Sequence, residues 1–117
     1  MDTFQSSGSN AVLTMKQYIE TNYDADLSFS KVARGYFFNE GYLRRMFRQA
    51  TGESFSSFLN EIRINAAKRL LAETNWNILD VSMQVGFHNV TYFNRVFKQK
   101  AGMTPRRYRE QMTGKRG

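Results

Sequence analysis

The sequence contains an internal repeat. Residues 38–52 read FNEGYLRRMFRQATG, and residues 88–102 read HNVTYFNRVFKQKAG. In both copies Asn, Tyr, a large apolar residue, Arg, Phe, a cation, Gln and Gly fall in step. Because a solenoid needs at least three stacked copies, a repeat that occurs twice predicts a domain with two lobes instead. A basic segment presented twice also suggests a partner with a repeating, negatively charged surface, for which DNA is the obvious candidate.

The charge balance agrees with a polyanionic partner. The 117 residues include 17 Lys and Arg against 10 Asp and Glu, which gives a net charge of +7 and a pI near 10.0. Such a balance suits nucleic acid or an anionic membrane surface. Many soluble proteins are basic without binding any anion, so charge alone leaves the partner open. The length fits one domain, or two very small ones, with a modest core.

Several classes of function lack the residues that they need. The chain has no Cys and a single His, His88, which excludes disulfides, thiolate zinc sites and cysteine catalysis. No HExxH motif, paired carboxylates or phosphate-cradling loop is present. No apolar run approaches the roughly 18 residues of a membrane span, and no signal-peptide pattern opens the chain. We therefore expect a soluble, cytoplasmic protein that is not an enzyme, with no cofactor, no metal and no membrane partner.

The spacing of the apolar residues predicts an all-α fold. They recur at three- and four-residue steps, and the only proline is Pro105. Seven helices are expected, forming two helix-turn-helix subdomains joined by a long linker helix. The predicted divisions are a disordered leader over 1–9, a first subdomain over 10–53, a linker helix over 54–74, a second subdomain over 75–112 and a basic tail over 113–117.

Capping residues mark the expected ends of the helices. Asn39 and Asn89 suit the N-caps of the third and sixth helices, and Gly52 and Gly102 suit left-handed C-caps. Other expected caps are Asp26 or Ser28, Ser54, Asn77 and Thr104, the last before a proline in the first helical position. The first helix is expected to bury Val12, Leu13, Ile19 and Tyr23, and the linker helix to bury Phe55, Phe58, Leu59, Ile62, Ala66, Leu70 and Leu71.

A helical wheel, at about 100° per residue, divides each repeated segment into two faces. The apolar face, which we expect to be packed, carries Leu43, Met46, Phe47 and Ala50 in the first copy and Phe93, Val96 and Phe97 in the second. The opposite face carries Gly41, Arg44, Arg45 and Arg48 in the first copy and Thr91, Asn94, Arg95 and Lys98 in the second. A merely solvated face would mix both signs of charge, whereas the first face has three Arg and one acid, Glu40 at its edge. This favours DNA contact over simple solvation.

The outward residues have the chemistry of base recognition. In the major groove Arg can donate a bidentate pair to guanine, and Asn can do so to adenine. Thr91 offers a hydroxyl and a methyl, Val90 can pack on a thymine methyl, and the helix amides behind Asn39 and Asn89 can bind phosphate. Gly41 lacks a side chain that would reach bases, so it either permits close approach to DNA or leaves the first helix reading fewer bases.

The linker length is compatible with one chain contacting two grooves. A helix of about 20 residues is about 30 Å long. Successive major-groove segments on one face of B-DNA lie about 34 Å apart. One chain could therefore place both helices in adjacent grooves without dimerising.

Three short motifs occur in the second half of the chain. Residues 78–87 read ILDVSMQVGF, residues 92–98 read YFNRVFK, and residues 102–109 read GMTPRRYR. They resemble the patterns I-x-x-[IV]-A-x-x-x-G-F, [SY]-[FY]-x-R-x-F-K and G-x-[ST]-P-x-x-[YF]-R of AraC/XylS-type bacterial transcription regulators, and the resemblance covers about residues 11–112. It implies a seven-helix, two-lobed C-terminal domain that binds asymmetric promoter DNA and activates transcription by touching RNA polymerase. It also implies DNA contacts at Gly41, Arg44, Arg45, Val90, Thr91, Tyr92, Asn94 and Arg95.

Three positions depart from that family pattern. Gly41 stands where several members have a bulky reading residue. Phe37 occupies a turn position where many members have Gly, so the first turn is expected to be rebuilt while its helices remain. Ser82 replaces the usual Ala, a small change that is expected to fit.

The candidate DNA-binding set combines these lines of reasoning. Arg106 and Arg107 join it because they cluster with Arg109 at the start of the last helix, where they either grip phosphate or form a solvated helix end. The complete set is Asn39, Glu40, Gly41, Arg44, Arg45, Arg48, Asn89, Val90, Thr91, Tyr92, Asn94, Arg95, Lys98, Arg106 and Arg107.

The expected partners are double-stranded promoter DNA and RNA polymerase. The domain is expected to be monomeric by itself, and a longer parent protein could dimerise. The leader resembles a linker, which favours a C-terminal domain cut from such a parent. Two rival functions stay open, namely a basic module that binds an acidic protein and a non-specific binder of RNA or nucleoid DNA.

Overall fold

The computed structural model describes residues 3–114, which form helices and turns without any strand. Within that range the chain folds into the predicted number of helices: α1 (Thr3–Asn22), α2 (Phe29–Gly35), α3 (Glu40–Thr51), α4 (Phe55–Glu73), α5 (Ile78–Gln84), α6 (Val90–Ala101) and α7 (Pro105–Gly114). In the described part of the chain, no helix has both the length and the hydropathy needed to cross a bilayer. The all-α prediction with seven helices is confirmed.

Helices α2 to α7 begin at predicted N-caps, and α3 and α6 end at the predicted glycines. A side-chain oxygen at each N-cap accepts a hydrogen bond from the backbone N–H three residues later, which satisfies a donor that the helix cannot. Gly52 and Gly102 end α3 and α6 in the left-handed conformation, with φ of 77° and 78°. The N-caps that make this bond are Ser28, Asn39, Ser54, Asn77, Asn89 and Thr104.

The start of the chain differs from the prediction. Residues 3–9, expected to be part of a disordered leader, continue the backbone of α1, whereas residues 1 and 2 lie outside the described residues. Once buried residues such as Met15 and Ile19 have nucleated a helix, each further residue adds one hydrogen bond at little extra cost. A Ser- and Gly-rich segment without proline can therefore be helical. Of the predicted basic tail, residues 113 and 114 belong to α7, and residues 115–117 lie outside the described residues.

The chain divides into two compact units, and the boundary between them lies inside α4, between Leu59 and Asn60. In the first unit α3 packs against α1 and α2, and the Phe47 ring lies edge-on to Phe55 and Phe58 at centroid distances of 6.3 and 5.3 Å. In the second unit α6 packs against α5 and α7. The second core includes the fully buried Ile64, Leu71, Val81, Val85, Phe93 and Phe97.

Several predicted core positions proved wrong. Leu13 is exposed, because it lies about 100° around α1 from the buried Val12. Ala50 is exposed in the last turn of α3. A helical wheel gives the direction of a side chain around the axis, but it does not show how far along the helix the packed neighbours extend. Conversely, α4 buries Ile64 and Ala67 outside the predicted stripe. Because α4 contributes to two cores in succession, its buried face changes along its length. Met46, Phe58, Ile62, Leu70 and Tyr23 are only partly buried.

The two turns share one hydrogen-bond pattern. Phe37 N and Phe38 N donate to Arg34 O and Ala33 O at 3.0 and 2.9 Å, and the amides of Gly86 and Phe87 make equivalent bonds at 3.1 and 2.9 Å. Gly86 has φ of 105°, and Phe37 adopts the matching left-handed conformation at φ of 60°. The first turn is therefore not rebuilt, contrary to the prediction. Phe37 is 96% exposed, so burial of its ring does not offset the strain that the left-handed conformation imposes on a residue with a Cβ.

The substituted family position in the second unit fits as expected. Ser82 is fully buried, and its hydroxyl donates to Leu79 O at 2.7 Å. A buried hydroxyl without a partner would be destabilising. The bond to its own helix explains why Ser can replace a smaller apolar residue at this position.

Phe37→Gly should stabilise the domain. Glycine adopts the left-handed conformation without the Cβ clash, an advantage that its greater unfolded-state freedom reduces to about 0.5–1 kcal/mol. Urea unfolding measures the change. Gly86→Ala, at the matching position of the second turn, is the control and should lower stability instead. A lower unfolding free energy for Phe37→Gly would contradict the strain at this turn.

Candidate nucleic-acid interface

The outer face of α3 displays the predicted cations. Arg44, Arg45 and Arg48 are exposed, whereas Leu43 and Phe47 on the opposite side are buried. Arg45 lies over the ring of Tyr42, with its guanidinium carbon 5.9 Å from the centroid. Packing on one side therefore fixes which way the cations project. We call α3 the first reading helix.

Gly41 leaves a bare spot on that face. A Cβ built at this position would meet only the Asn39 side-chain oxygen, at 3.7 Å, which is ordinary van der Waals contact. The neighbouring atoms of the chain therefore do not require glycine here. Its consequence is an accessible stretch of helix backbone beside Arg44 and Arg45.

The outer face of α6, the second reading helix, has different chemistry on the same plan. Its exposed residues include a hydroxyl, an amide and two cations, from Thr91, Asn94, Arg95 and Lys98. Val90 is half-buried. The side chain of Val90 is therefore less accessible to a thymine methyl than the side chains of Thr91 and Asn94 are to base edges.

Tyr92 lies between the core and the outer face of α6. Arg95 lies over its ring at 5.6 Å, as Arg45 does over Tyr42. The Tyr92 hydroxyl accepts a hydrogen bond from Asn60 Nδ2 at 3.1 Å, and its ring lies 5.9 Å from that of Phe87. These contacts limit the motion of Tyr92 and of the arginine above it.

Asn39 and Asn89 act as helix caps. Their side-chain oxygens accept from Tyr42 N and Tyr92 N, each at 2.9 Å. Those amides are thereby occupied, so a phosphate could meet only the earlier N–H groups of either helix. Asn39 and Asn89 would then position the helix ends rather than compete for phosphate.

Glu40 connects α2 to the first reading helix. Its Oε1 accepts from Ser30 Oγ at 2.7 Å and from Arg44 Nη2 at 3.0 Å. The Ser30 hydrogen bond, followed by the Arg44 hydrogen bond, lowers the pKa of the Glu40 carboxyl below its usual value. The Arg44 guanidinium carbon also lies 4.4 Å from the centroid of the Phe29 ring. We call Phe29, Ser30, Glu40 and Arg44 the arginine clamp.

Sequence reasoning found only part of this clamp. The spacing of Glu40 and Arg44 on one helix was a readable signal for an ion pair. Phe29 and Ser30 belong to another helix, and nothing in the local pattern indicated that they would contact this pair.

The arginines of α7 separate into two kinds. Arg106 and Arg107 are exposed, and the Arg106 side chain is 88% accessible with Glu110 4.0 Å away. Arg109 instead points inward, and its Nε donates to Leu71 O in the last turns of α4 at 3.1 Å. Its Nη2 is buried without a hydrogen-bond partner among the described residues. Arg109 thus supports a helix end, whereas the side chains of Arg106 and Arg107 are accessible from solvent.

Comparison with known proteins identifies the family. A sequence model described as a helix-turn-helix domain matches residues 32–111. The regulatory protein PocR of Salmonella typhimurium is 30% identical over 96 residues, which cover 82% of this chain and 32% of PocR. The chain belongs to the AraC/XylS family. The structure of the C-terminal domain of AraT, a response regulator from Geobacillus stearothermophilus, is similar, with 33% identity and a TM-score of 0.84. The match covers 86% of this chain and 84% of the chain in that structure.

A second AraC-family relative is the transcriptional activator RhaR of Yersinia pseudotuberculosis. It is 45% identical over 71 residues, which cover 61% of this chain and 24% of RhaR. The chain thus spans about a third or a quarter of the length of the curated relatives that it matches. AraC-family proteins are DNA-binding transcription regulators rather than enzymes, which confirms the non-enzymatic prediction.

Substituting the two kinds of arginine in α7 should have different effects, one on folding stability and the other on DNA affinity. Arg109→Ala removes a charged hydrogen bond to Leu71 O and should lower the unfolding free energy by about 2 kcal/mol, with little effect on DNA affinity while the protein stays folded. Arg106→Ala should leave stability within about 0.5 kcal/mol and weaken DNA binding. Urea unfolding and fluorescence anisotropy measure the two quantities. If Arg109→Ala weakened binding at unchanged stability, Arg109 would be a DNA contact instead.

Proposed function

We propose that this AraC-family domain recognises a specific double-stranded DNA site, with α3 and α6 reading two adjacent major-groove segments. The single observation that carries the proposal is the repeated scaffold with unlike outer faces. Both reading helices bury an aromatic face and place an arginine over a tyrosine, at Arg45 and Arg95. Between the copies, however, the outward residues differ. The two helices would therefore read two different half-sites, which suits an asymmetric operator.

The proposed contacts divide by chemistry. Arg44, Arg45, Asn94 and Arg95 have side chains able to specify bases, and Thr91 and Tyr92 offer hydroxyl groups. Arg48, Lys98, Arg106 and Arg107 are cations suited to phosphate, which would supply salt-dependent affinity. Helix α4 has 19 residues, so it is roughly 28 Å long, comparable to the roughly 34 Å between successive groove segments. A monomer could thus bind the whole site.

Two rival functions make different predictions. A module for an acidic protein, or a non-specific nucleic-acid binder, would also use the net charge of +7. Neither would distinguish one DNA sequence from another. The test is selection of duplexes from a randomised pool, followed by competition against random duplex DNA at about 150 mM salt. A specific regulator should prefer its selected site by about a thousandfold or more. Equal affinity for all sequences would exclude sequence-specific recognition.

Asn94 and Lys98 should have separable effects. Asn94→Ala should lose discrimination at one base pair, an adenine position, by about 1–3 kcal/mol. Lys98→Ala should weaken binding to every duplex similarly and reduce the salt slope by about 1. Both side chains are exposed, so neither change should impair folding. Affinities measured against single-base variants of the selected site, at several salt concentrations, separate the two roles. Uniform loss for Asn94→Ala would remove it from base recognition.

We further propose that this domain activates transcription through contact with RNA polymerase. The name of RhaR, a transcriptional activator, supports activation as the mode of regulation. A reporter with the selected site upstream of a weak promoter tests this in bacterial cells. Increased expression when the chain is produced supports activation, and decreased expression indicates repression. Transcription with purified polymerase then tests for direct contact.

A further inference from the structure

The arginine clamp restrains a side chain that is otherwise free to move. The Arg44 side chain is 60% exposed, and an exposed arginine samples many rotamers. Here Glu40 holds one end of the guanidinium at 3.0 Å while Phe29 lies beneath it at 4.4 Å. Ser30 donates to the same carboxylate oxygen at 2.7 Å. The acid is therefore itself anchored to α2.

The clamp contributes little to folding stability. Exposed ion pairs contribute little net free energy, because solvent screens them and the side chains lose freedom. Their effect on recognition is different. A side chain that is already ordered loses less conformational entropy when it binds. The clamp thus matters for what Arg44 does in a complex more than for holding α2 against α3.

Glu40 is an unfavourable residue on a DNA-binding face by charge alone. A carboxylate there repels phosphates whatever the base sequence. Simple electrostatics therefore predicts that removing Glu40 strengthens binding to every duplex. A positioning role predicts the opposite sign for the specific site, and this difference makes the two explanations separable.

Among the described residues of the second unit, the positions that match the clamp lack its chemistry. Aligning α5 and α6 with α2 and α3 by their N-caps places Ile78, Leu79, Val90 and Asn94 opposite the four clamp residues. None of these side chains carries a charge. The clamp therefore belongs to the first reading helix. Because Gly41 has no side chain, the neighbouring arginines are the main side chains of this helix that are long enough to reach bases.

We propose that Glu40 is a positioning residue that, with Ser30 and Phe29, holds Arg44 in the rotamer that reads one guanine. It thereby determines the base preference of the first reading helix. Glu40 engages one N–H of Arg44 Nη2, so the second N–H of Nη2 and both of Nη1 remain available for guanine O6 and N7. The inference rests on the DNA binding proposed above for α3.

The test compares Glu40→Ala with the unaltered chain on two probes, the duplex that the chain selects from a randomised pool and a random-sequence duplex. Affinity for the selected duplex should fall about three- to tenfold, while affinity for random duplex stays equal or rises. The guanine preference at one position should be lost. Equal gains on both probes would show that Glu40 acts only by charge and would overturn the inference.

Two variants guard against misreading a folding defect. Glu40→Gln removes the charge but keeps an acceptor oxygen for Ser30 and Arg44, so it should retain the guanine preference that Glu40→Ala loses. Identical behaviour of the two variants would overturn the inference. Glu110→Gln is a matched control, since it removes an acid from another helical Glu–Arg pair, 4.0 Å from Arg106. It should leave base preference unchanged.

A double variant separates positioning from direct contact. In an Arg44→Ala background, Glu40→Ala should change no base preference, because the side chain that it positions is gone. A preference still lost in that background would mean that Glu40 reads a base itself. If the unaltered chain selects no sequence, both the proposed function and this inference fail. If it selects a site whose guanine preference survives Glu40→Ala, this inference fails alone.

Discussion

Burial of one aromatic face on each reading helix governs the display of every outward residue. Phe47 in the first unit and Phe93 with Phe97 in the second are inaccessible to solvent, each edge-on or tilted against neighbouring rings. A helix packed in this way cannot rotate about its own axis without exposing that face. The direction of the cations is therefore a consequence of core packing. Capping at both ends then sets where each displayed surface begins and stops.

On this common scaffold the two units support their outward residues differently. In the second unit Asn60, from α4, bonds Tyr92, and Arg95 lies over the tyrosine ring. In the first unit support reaches Arg44 from α2, through Ser30, Glu40 and the Phe29 ring. The duplication thus preserved the packed side while the outward chemistry diverged. Two different reading surfaces on one chain suit a DNA site without internal symmetry.

Identical residue types have different roles according to their surroundings. Arg106 and Arg109 are three residues apart on α7, yet one is in solvent and the other bonds a carbonyl near the end of α4. The converse holds at the turns, where two different residue types, Phe37 and Gly86, occupy the same left-handed position. The hydrogen bonds of the turn and the packing of its flanking helices outweigh the strain of a left-handed phenylalanine. From the residue types alone, these two turns would have been assigned different conformations.

The sequence by itself determined the local features of this protein. The helix caps at Asn39 and Asn89 and the left-handed ends at Gly52 and Gly102 follow from interactions within a few residues. The outward side of the cations is opposite the apolar stripe of the same helix, so the spacing of the apolar residues predicts it. Tertiary structure decided the rest. It exposed Leu13, buried Ile64, turned Arg109 inward and brought Phe29 and Ser30 to Glu40 and Arg44. These outcomes depend on which helix packs against each face. Helical periodicity gives the direction of a side chain around its own helix axis, but it does not identify the helix that packs there.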